Sequence, residues 1–321
     1  MAQFIKTIQN FAFSNDLWEK NSKIVIGVSG GPDSVCLLDI FCKLTPKYNL
    51  EIHLAHVNYG LRGEDSKKDE LFVDELAQKY KISMTKLRPK KIRCKGNLEN
   101  NLRDIRYDFF EKLRNELNFD LVAVAHNRDD QAETVLMRIM RGSGLAGLCA
   151  MQAKTENIIR PLLETSKDDI IAYLKDNKLN YRKDKSNLDK KFTRNKVRHD
   201  LLPYLENNFN PAIKKTLSDW SQVVASDYDF IEKNAQSFTG LVCKNKCATF
   251  SAKEFFLQHD AVKRQVLRSV INQLKKDTLN IESGQIGEMI KLIKSIKSKT
   301  QKASIGGLNI SKKGDKVEIR C

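Results

Sequence analysis

Lys23-Ile24-Val25-Ile26-Gly27-Val28-Ser29-Gly30-Gly31-Pro32-Asp33-Ser34 is the stretch on which the fold turns. Its β-branched start shows no polar alternation, which fits a strand buried on both faces, as in a parallel sheet. Val35, Leu38, Phe41 and Cys42 then recur at helical spacing. Strand, glycine turn and helix N-terminus in that order make an anion site. The glycines let backbone N–H groups converge, and the helix adds the positive end of its dipole. Asp33 is the odd residue, because a carboxylate repels phosphate unless a cation such as Mg²⁺ lies between them. No Gly-Lys-Ser/Thr follows and no G-x-G-x-x-G is present, so the loop is neither a Walker A loop nor a dinucleotide fingerprint. A plain glycine-rich turn, with Asp33 or Ser34 capping the helix, also fits the spacing.

Outward from this loop, apolar periodicity predicts strands over 50–56, 82–87 and 120–126. It predicts helices over 64–81, 98–117 and 129–140. Strands alternating with helices of this length indicate an α/β fold with a doubly wound, Rossmann-like parallel sheet. Asn207-Asn208-Phe209-Asn210-Pro211 is a turn cluster and the expected linker. The expected division is therefore a catalytic domain over 1–210 and a smaller, mainly helical domain over 211–321. The second has helices over 213–237, 252–275 and 283–297 and a terminal β-hairpin around Lys313-Gly314-Asp315.

The chain has 321 residues, enough for about two domains, and carries 56 basic against 40 acidic residues, a net charge of +16. Residues 1–216 hold 38 basic and 29 acidic groups, and residues 217–321 hold 18 and 11, so both parts are basic. The densest stretches are 86–95 and 178–198. Such a balance suits a polyanion, because each neutralised phosphate releases counterions, although solvated lysine-rich faces would look the same. Seven scattered cysteines without a C-x-x-C pair argue for a reducing, cytoplasmic setting and against a disulfide framework or an iron–sulfur site. No apolar run approaches a membrane span, and no signal peptide is expected at the N-terminus.

The string Ser29-Gly30-Gly31-Pro32-Asp33-Ser34 resembles the S-G-G-x-D-S loop of the N-type ATP pyrophosphatases, which cleave ATP between its α- and β-phosphates. Four further segments narrow the likeness: His56 to Arg62; Ala125 to Thr134; Arg141 to Leu148; and Asp184-Lys185-Ser186-Asn187, followed by Arg194 to Arg198 and Pro203. Together they resemble the tRNA(Ile)-lysidine synthases over residues 23 to about 205. Beyond that, only size and charge agree. The length matches a compact version, without the additional C-terminal domain of longer relatives. The sequence departs from the pattern at Asn127 and Tyr59, where the family commonly has histidines.

The resemblance implies ATP and Mg²⁺, free L-lysine, and an isoleucine tRNA with a CAU anticodon as reaction components. It implies adenylation of cytidine 34 followed by attack of lysine. Asp33, Arg106, Asp130 and Arg198 are then the catalytic candidates, with Asp33 and Asp130 also the metal candidates. Ser29, Gly30, Gly31, Pro32, Asp33, Ser34, His56 and His126 are the ATP-binding set. Glu133 is the lysine-binding acid, and Arg194 and Arg198 are tRNA contacts. Asp130 and Glu133 are three apart on one helix and so share a face, whereas the adjacent Asp129 does not. Taken alone, Arg106 reads as an exposed arginine paired with Glu99, Asp104 or Asp108, and Glu133 as an exposed acid paired with Arg128 or Arg138. A homodimer is left open. The rivals are tRNA thiolation, amidotransferase-type chemistry and a basic RNA-binding module with a vestigial nucleotide site.

Overall fold

The computed structural model describes residues 2–90, 98–182, 192–244, 246–275, 283–296 and 299–321. The segment Asp184-Lys185-Ser186-Asn187, residues 91–95 of the first basic stretch and the last residue of the expected helix at 283–297 lie outside them. The chain divides into two compact units, Met1–Gln222 and Val223–Cys321.

The first unit is built on a six-stranded sheet. Its strands are β1 (Lys23–Gly27), β2 (Glu51–Val57), β3 (Met84–Leu87), β4 (Leu121–Ala123), β5 (Lys154–Thr155) and β6 (Ile158–Ile159), in the order β3-β2-β1-β4-β6-β5. All neighbours run parallel except the short edge pair β5 and β6. β1 is central because it can bury both faces, and Ile24, Val25 and Ile26 are all fully covered. On one face Ile24 and Ile26 join the core of α2 (Pro32–Tyr48) and α3 (Glu64–Tyr80). On the other, Val25 packs with Phe110 and Leu113 of α4 (Leu98–Leu117). A Cβ at Gly27 would lie 2.7 Å from the Phe110 ring, so that close crossing requires glycine. The doubly wound sheet read from the sequence is observed.

Four elements depart from the sequence reading. β4 has three residues, because beyond it the chain leaves the ladder for the N-cap of α5 (Arg128–Met140). The β5–β6 pair and α7 (Lys167–Asp176) were not anticipated. The unit also contains α1 (Ala2–Ser14) and α6 (Leu145–Leu148). After residue 192, α8 (Thr193–Lys196) continues into a π-helical turn (Val197–Leu201), then α9 (Leu202–Asn208). The expected linker at 207–211 precedes α10 (Ile213–Gln236), and the division between units falls inside this helix. The physical reason is packing: Leu217 clusters with Ala132, Val135, Val197 and Leu202, and Ser221 Oγ accepts from Gln131 Nε2 at 3.0 Å.

The second unit contains more sheet than the sequence reading allowed. Strands β7 (Val242–Lys244), β8 (Cys247–Ser251), β9 (Gln301–Ile305), β10 (Leu308–Lys313) and β11 (Lys316–Arg320) form one antiparallel sheet in the order β7-β8-β11-β10-β9. The expected hairpin is β10–β11, closed where Lys313 pairs Lys316. Alternating Leu308, Ile310, Val317 and Ile319 face a core shared with α11 (Ala252–Leu257), α12 (Asp260–Lys275) and α13 (Ser283–Lys294). The single helix expected over 252–275 breaks at Gln258, which is extended, and His259 Nδ1 accepts from Ala261 N to start α12. No helix of the described residues is long and apolar enough to cross a membrane.

Candidate active site

The C-terminal ends of parallel strands border the crevice where open α/β sheets bind ligands. Four ends meet here: the loop after β1, His56 in β2, His126 after β4, and Arg160 after β6. In the loop, Gly30 adopts φ +85, a conformation glycine tolerates freely, while Phe72, Val73 and Arg182 stand where a Cβ would point. Ser29 and Ser34 hydroxyls are 3.2 Å apart, and Ser34 Oγ donates to Gly31 O at 2.9 Å. Gly31 is the N-cap of α2 and brings no side-chain cap, so the first-turn N–H groups face the crevice without one. The alternative of Asp33 or Ser34 as N-cap is therefore not what the chain does.

Asp33 occupies the second position of α2. Its carboxylate accepts from Lys167 Nζ at 2.7 and 2.6 Å and from Asn127 Nδ2 at 3.0 Å. Burial lifts its pKa above the usual carboxylate value, against the pull of Lys167. Asn127 is also the N-cap of α5: its Oδ1 accepts from Asp130 N at 3.0 Å and Asp130 Oδ2 accepts from Asn127 N at 3.2 Å, a capping box. Asn127 thus serves at once as the cap of α5 and as a bridge to Asp33.

Asp130, Glu133, Arg194 and Arg198 form one ion cluster. Glu133 is 1% exposed. Its Oε2 accepts from Arg194 Nε at 2.8 Å and Arg198 Nη2 at 3.0 Å, and its Oε1 accepts from Arg198 Nε at 2.5 Å. Asp130 Oδ1 accepts from both arginines at 3.1 Å. Burial opposes ionisation of Asp130, and the facing cations, Arg194 first, outweigh it and hold the carboxyl below its usual range. Glu133 is therefore neither exposed nor paired with Arg128 or Arg138. Both of its oxygens are engaged by guanidinium donors. Asp129 points away: it accepts from Lys167 N at 3.1 Å and pairs with Lys214 at 3.1 Å.

His56 donates Nδ1–H to Val28 O at 2.8 Å, burial lowers its pKa, and its buried Nε2 has no partner among the described residues. His126 is likewise pushed down by burial and leaves Nδ1 covered and unpartnered. Around His126 stand Asp130, Arg160, Arg103 and Arg106. The Arg106 guanidinium lies 5.7 Å from the Tyr107 ring. Tyr59 donates to Leu102 O of α4 at 2.7 Å.

The structure thus brings Asp33, Asp130, Glu133, His126, Arg106, Arg194 and Arg198 to one crevice. Sequence reasoning missed Lys167 and Arg160. The Ser166-Lys167-Asp168-Asp169 start signal of α7 was available for the first. Arg160 follows a strand too short to show periodicity. Magnesium takes one or two carboxylates and completes its shell with water and substrate phosphate. Asp33 fits that demand once Lys167 turns aside. Both oxygens of Asp130 are occupied, and no group of three acidic, histidine or cysteine ligands occurs among the described residues.

Residues 2–205 match the family described as a PP-loop domain. The chain is 38% identical over 311 residues to the tRNA(Ile)-lysidine synthase of Clostridium tetani, covering 92% of this chain and 67% of that protein. It is 39% identical over 286 residues to the tRNA(Ile)-lysidine synthase of Clostridioides difficile, covering 87% and 62%. The chain therefore spans about two thirds, or slightly less, of the length of these relatives. Among solved structures, the U34-tRNA thiolase NcsA from Methanococcus maripaludis with its [4Fe-4S] cluster aligns with a TM-score of 0.58 at 21% identity, covering 70% of this chain and 79% of that one. That likeness concerns the fold alone.

Proposed function

This chain is a member of the tRNA(Ile)-lysidine synthase family, and on that premise we propose that it joins lysine to C2 of cytidine 34 in a CAU-anticodon isoleucine tRNA. Cytosine O2 attacks the α-phosphate of ATP and pyrophosphate leaves. The lysine amine then attacks C2 of the adenylated base and AMP leaves, giving lysidine, which reads AUA in place of AUG. The observation that carries the reading is the convergence of the uncapped α2 N-terminus, Asp33 and the Asp130–Arg194–Arg198 cluster at the strand ends.

Each residue then has a task. Ser29 to Ser34 hold the β- and γ-phosphates through backbone N–H groups and hydroxyls. Asp33 would hold Mg²⁺, which neutralises the polyphosphate charge. Arg106 and Arg198 would meet the charge that builds on the α-phosphoryl group. The buried, unpartnered ring nitrogens of His56 and His126 support nucleotide contacts at these positions. Glu133 exchanges a guanidinium for the ammonium of lysine, and the guanidinium released by that exchange is free for tRNA phosphate. The basic unit after Gln222 is proposed to carry tRNA contacts, and the setting is proposed to be cytoplasmic. Incubation with ATP, Mg²⁺, labelled lysine and unmodified isoleucine tRNA tests the reading. ATP-dependent label in the RNA supports it, and pyrophosphate release without label transfer overturns it.

A further inference from the structure

Lys167 lies in none of the motifs quoted from the sequence, yet its ammonium sits on Asp33 of the phosphate loop. Its backbone is fixed on three sides. Ser166 caps α7 by accepting from Asp169 N at 3.0 Å, Lys167 N donates to Asp129 at 3.1 Å, and Arg128 N donates to Thr165 O at 2.9 Å. The start of α7 is thereby tied to the start of α5 beside the crevice. The side chain itself is 36% exposed and reaches Asp33 with nothing else holding it among the described residues.

We infer that Lys167 is a pyrophosphate-binding residue that exchanges Asp33 for the β,γ-phosphates when ATP enters the loop. This rests on the reading above that ATP is cleaved at this loop. The geometry gives the exchange its reason. Asp33 is the second residue of α2, so an anion on the first-turn N–H groups lies within a short swing of an ammonium already at Asp33. A flexible four-carbon stem on a fixed backbone suits such a swing, and a compact ammonium suits a single phosphate oxygen. While the loop is empty, Lys167 neutralises a buried carboxylate. A polyphosphate on the first-turn N–H groups of α2 brings a larger counter-charge within reach of the same ammonium, with or without a divalent cation on the carboxylate.

Titration calorimetry on the full chain decides it, using ATP with Mg²⁺, AMP, and metal-free pyrophosphate in EDTA. Lys167→Met is expected to weaken ATP and pyrophosphate about 10- to 100-fold and to leave AMP within about twofold; Lys167→Arg is expected to retain most of the affinity. Equal loss for AMP, or unchanged pyrophosphate affinity, overturns the assignment. The double variant Asp33→Asn, Lys167→Met separates contact from mere masking of Asp33. Pyrophosphate binding that stays weak supports contact, and binding restored to the wild-type level overturns it. Wild-type protein that binds neither ATP nor pyrophosphate sinks the ATP reading itself, independently of Lys167.

Discussion

Asn127 donates from Nδ2 to Asp33 across two helix N-termini, at 3.0 Å, while its Oδ1 caps the helix that carries Asp130. One buried amide therefore sets the distance between the two acids of the site. Asn127→Ala removes a cap, which costs about 1 kcal/mol, and a melting temperature lower by about 2–4 °C is expected for a unit of this size. Pyrophosphate release should fall with it. Asn127→His should recover release, because an imidazole can also accept at the cap and donate to Asp33. Failure of histidine to recover release would place Asn127 in a role particular to this chain.

Asp33→Asn should abolish tRNA adenylation while making the fold more stable at neutral pH. Burial holds the Asp33 carboxyl above its usual pKa even with Lys167 beside it. The folded chain thus keeps this proton more tightly than the unfolded chain. Ionised Asp33 costs stability at pH above both values; the cost shrinks as pH falls through the raised folded value and is gone below the unfolded value of about 3.9. The variant should melt higher than wild type at pH 7, with the gap narrowing as pH falls through the raised folded value and closed below about pH 4. A lower melting temperature at pH 7 would contradict the burial cost. Wild-type pyrophosphate release would contradict the role at the phosphates.

Glu133→Gln probes the arginine cluster. Glu133 takes bonds from Arg194 and Arg198 through both oxygens, and an amide can accept through only one of its two ends. A loss of about 1–3 kcal/mol in folding stability is expected. Asp130 still accepts from both arginines, so adenylation should survive. The lysine KM should rise roughly 10- to 150-fold, the worth of a charge-assisted hydrogen bond. Measuring the half-reactions separately is decisive: lost adenylation with normal lysine dependence would assign Glu133 to ATP.

The sheet was legible because its central strand is so apolar that only burial on both faces explains it, and because glycines end it at a helix. Asp33, Asp130 and Glu133 were legible as acids in a phosphate site. Their partners were not. Lys167 sits on a ten-residue helix whose start signal was passed over. The pairing of Arg194 and Arg198 with Glu133 joins positions 61 and 65 residues apart, a tertiary fact that no local spacing encodes. The extra strands of the second unit are short and half-exposed, so their alternation is too brief to compete with the helical pattern around them.

A cut at the Asn207–Pro211 turn should behave worse than one after Gln222. The turn looks like a linker, but α10 begins directly after it and its first turns complete the first unit. Leu217 fills the cluster with Val135 and Leu202, Ser221 receives the amide of buried Gln131, and Lys214 pairs with Asp129. Residues 1–210 lose all three. The buried Gln131 amide loses one partner, a loss of about 1–3 kcal/mol before the missing apolar contacts are added. Residues 1–222 should fold cooperatively and bind ATP like the full chain, whereas 1–210 should melt lower and bind ATP weakly. Both should bind isoleucine tRNA more weakly than the full chain, whose affinity should fall steeply with salt because several phosphates are contacted. If residues 1–222 match the full chain in tRNA affinity and in salt dependence, the basic second unit is not a tRNA-binding element.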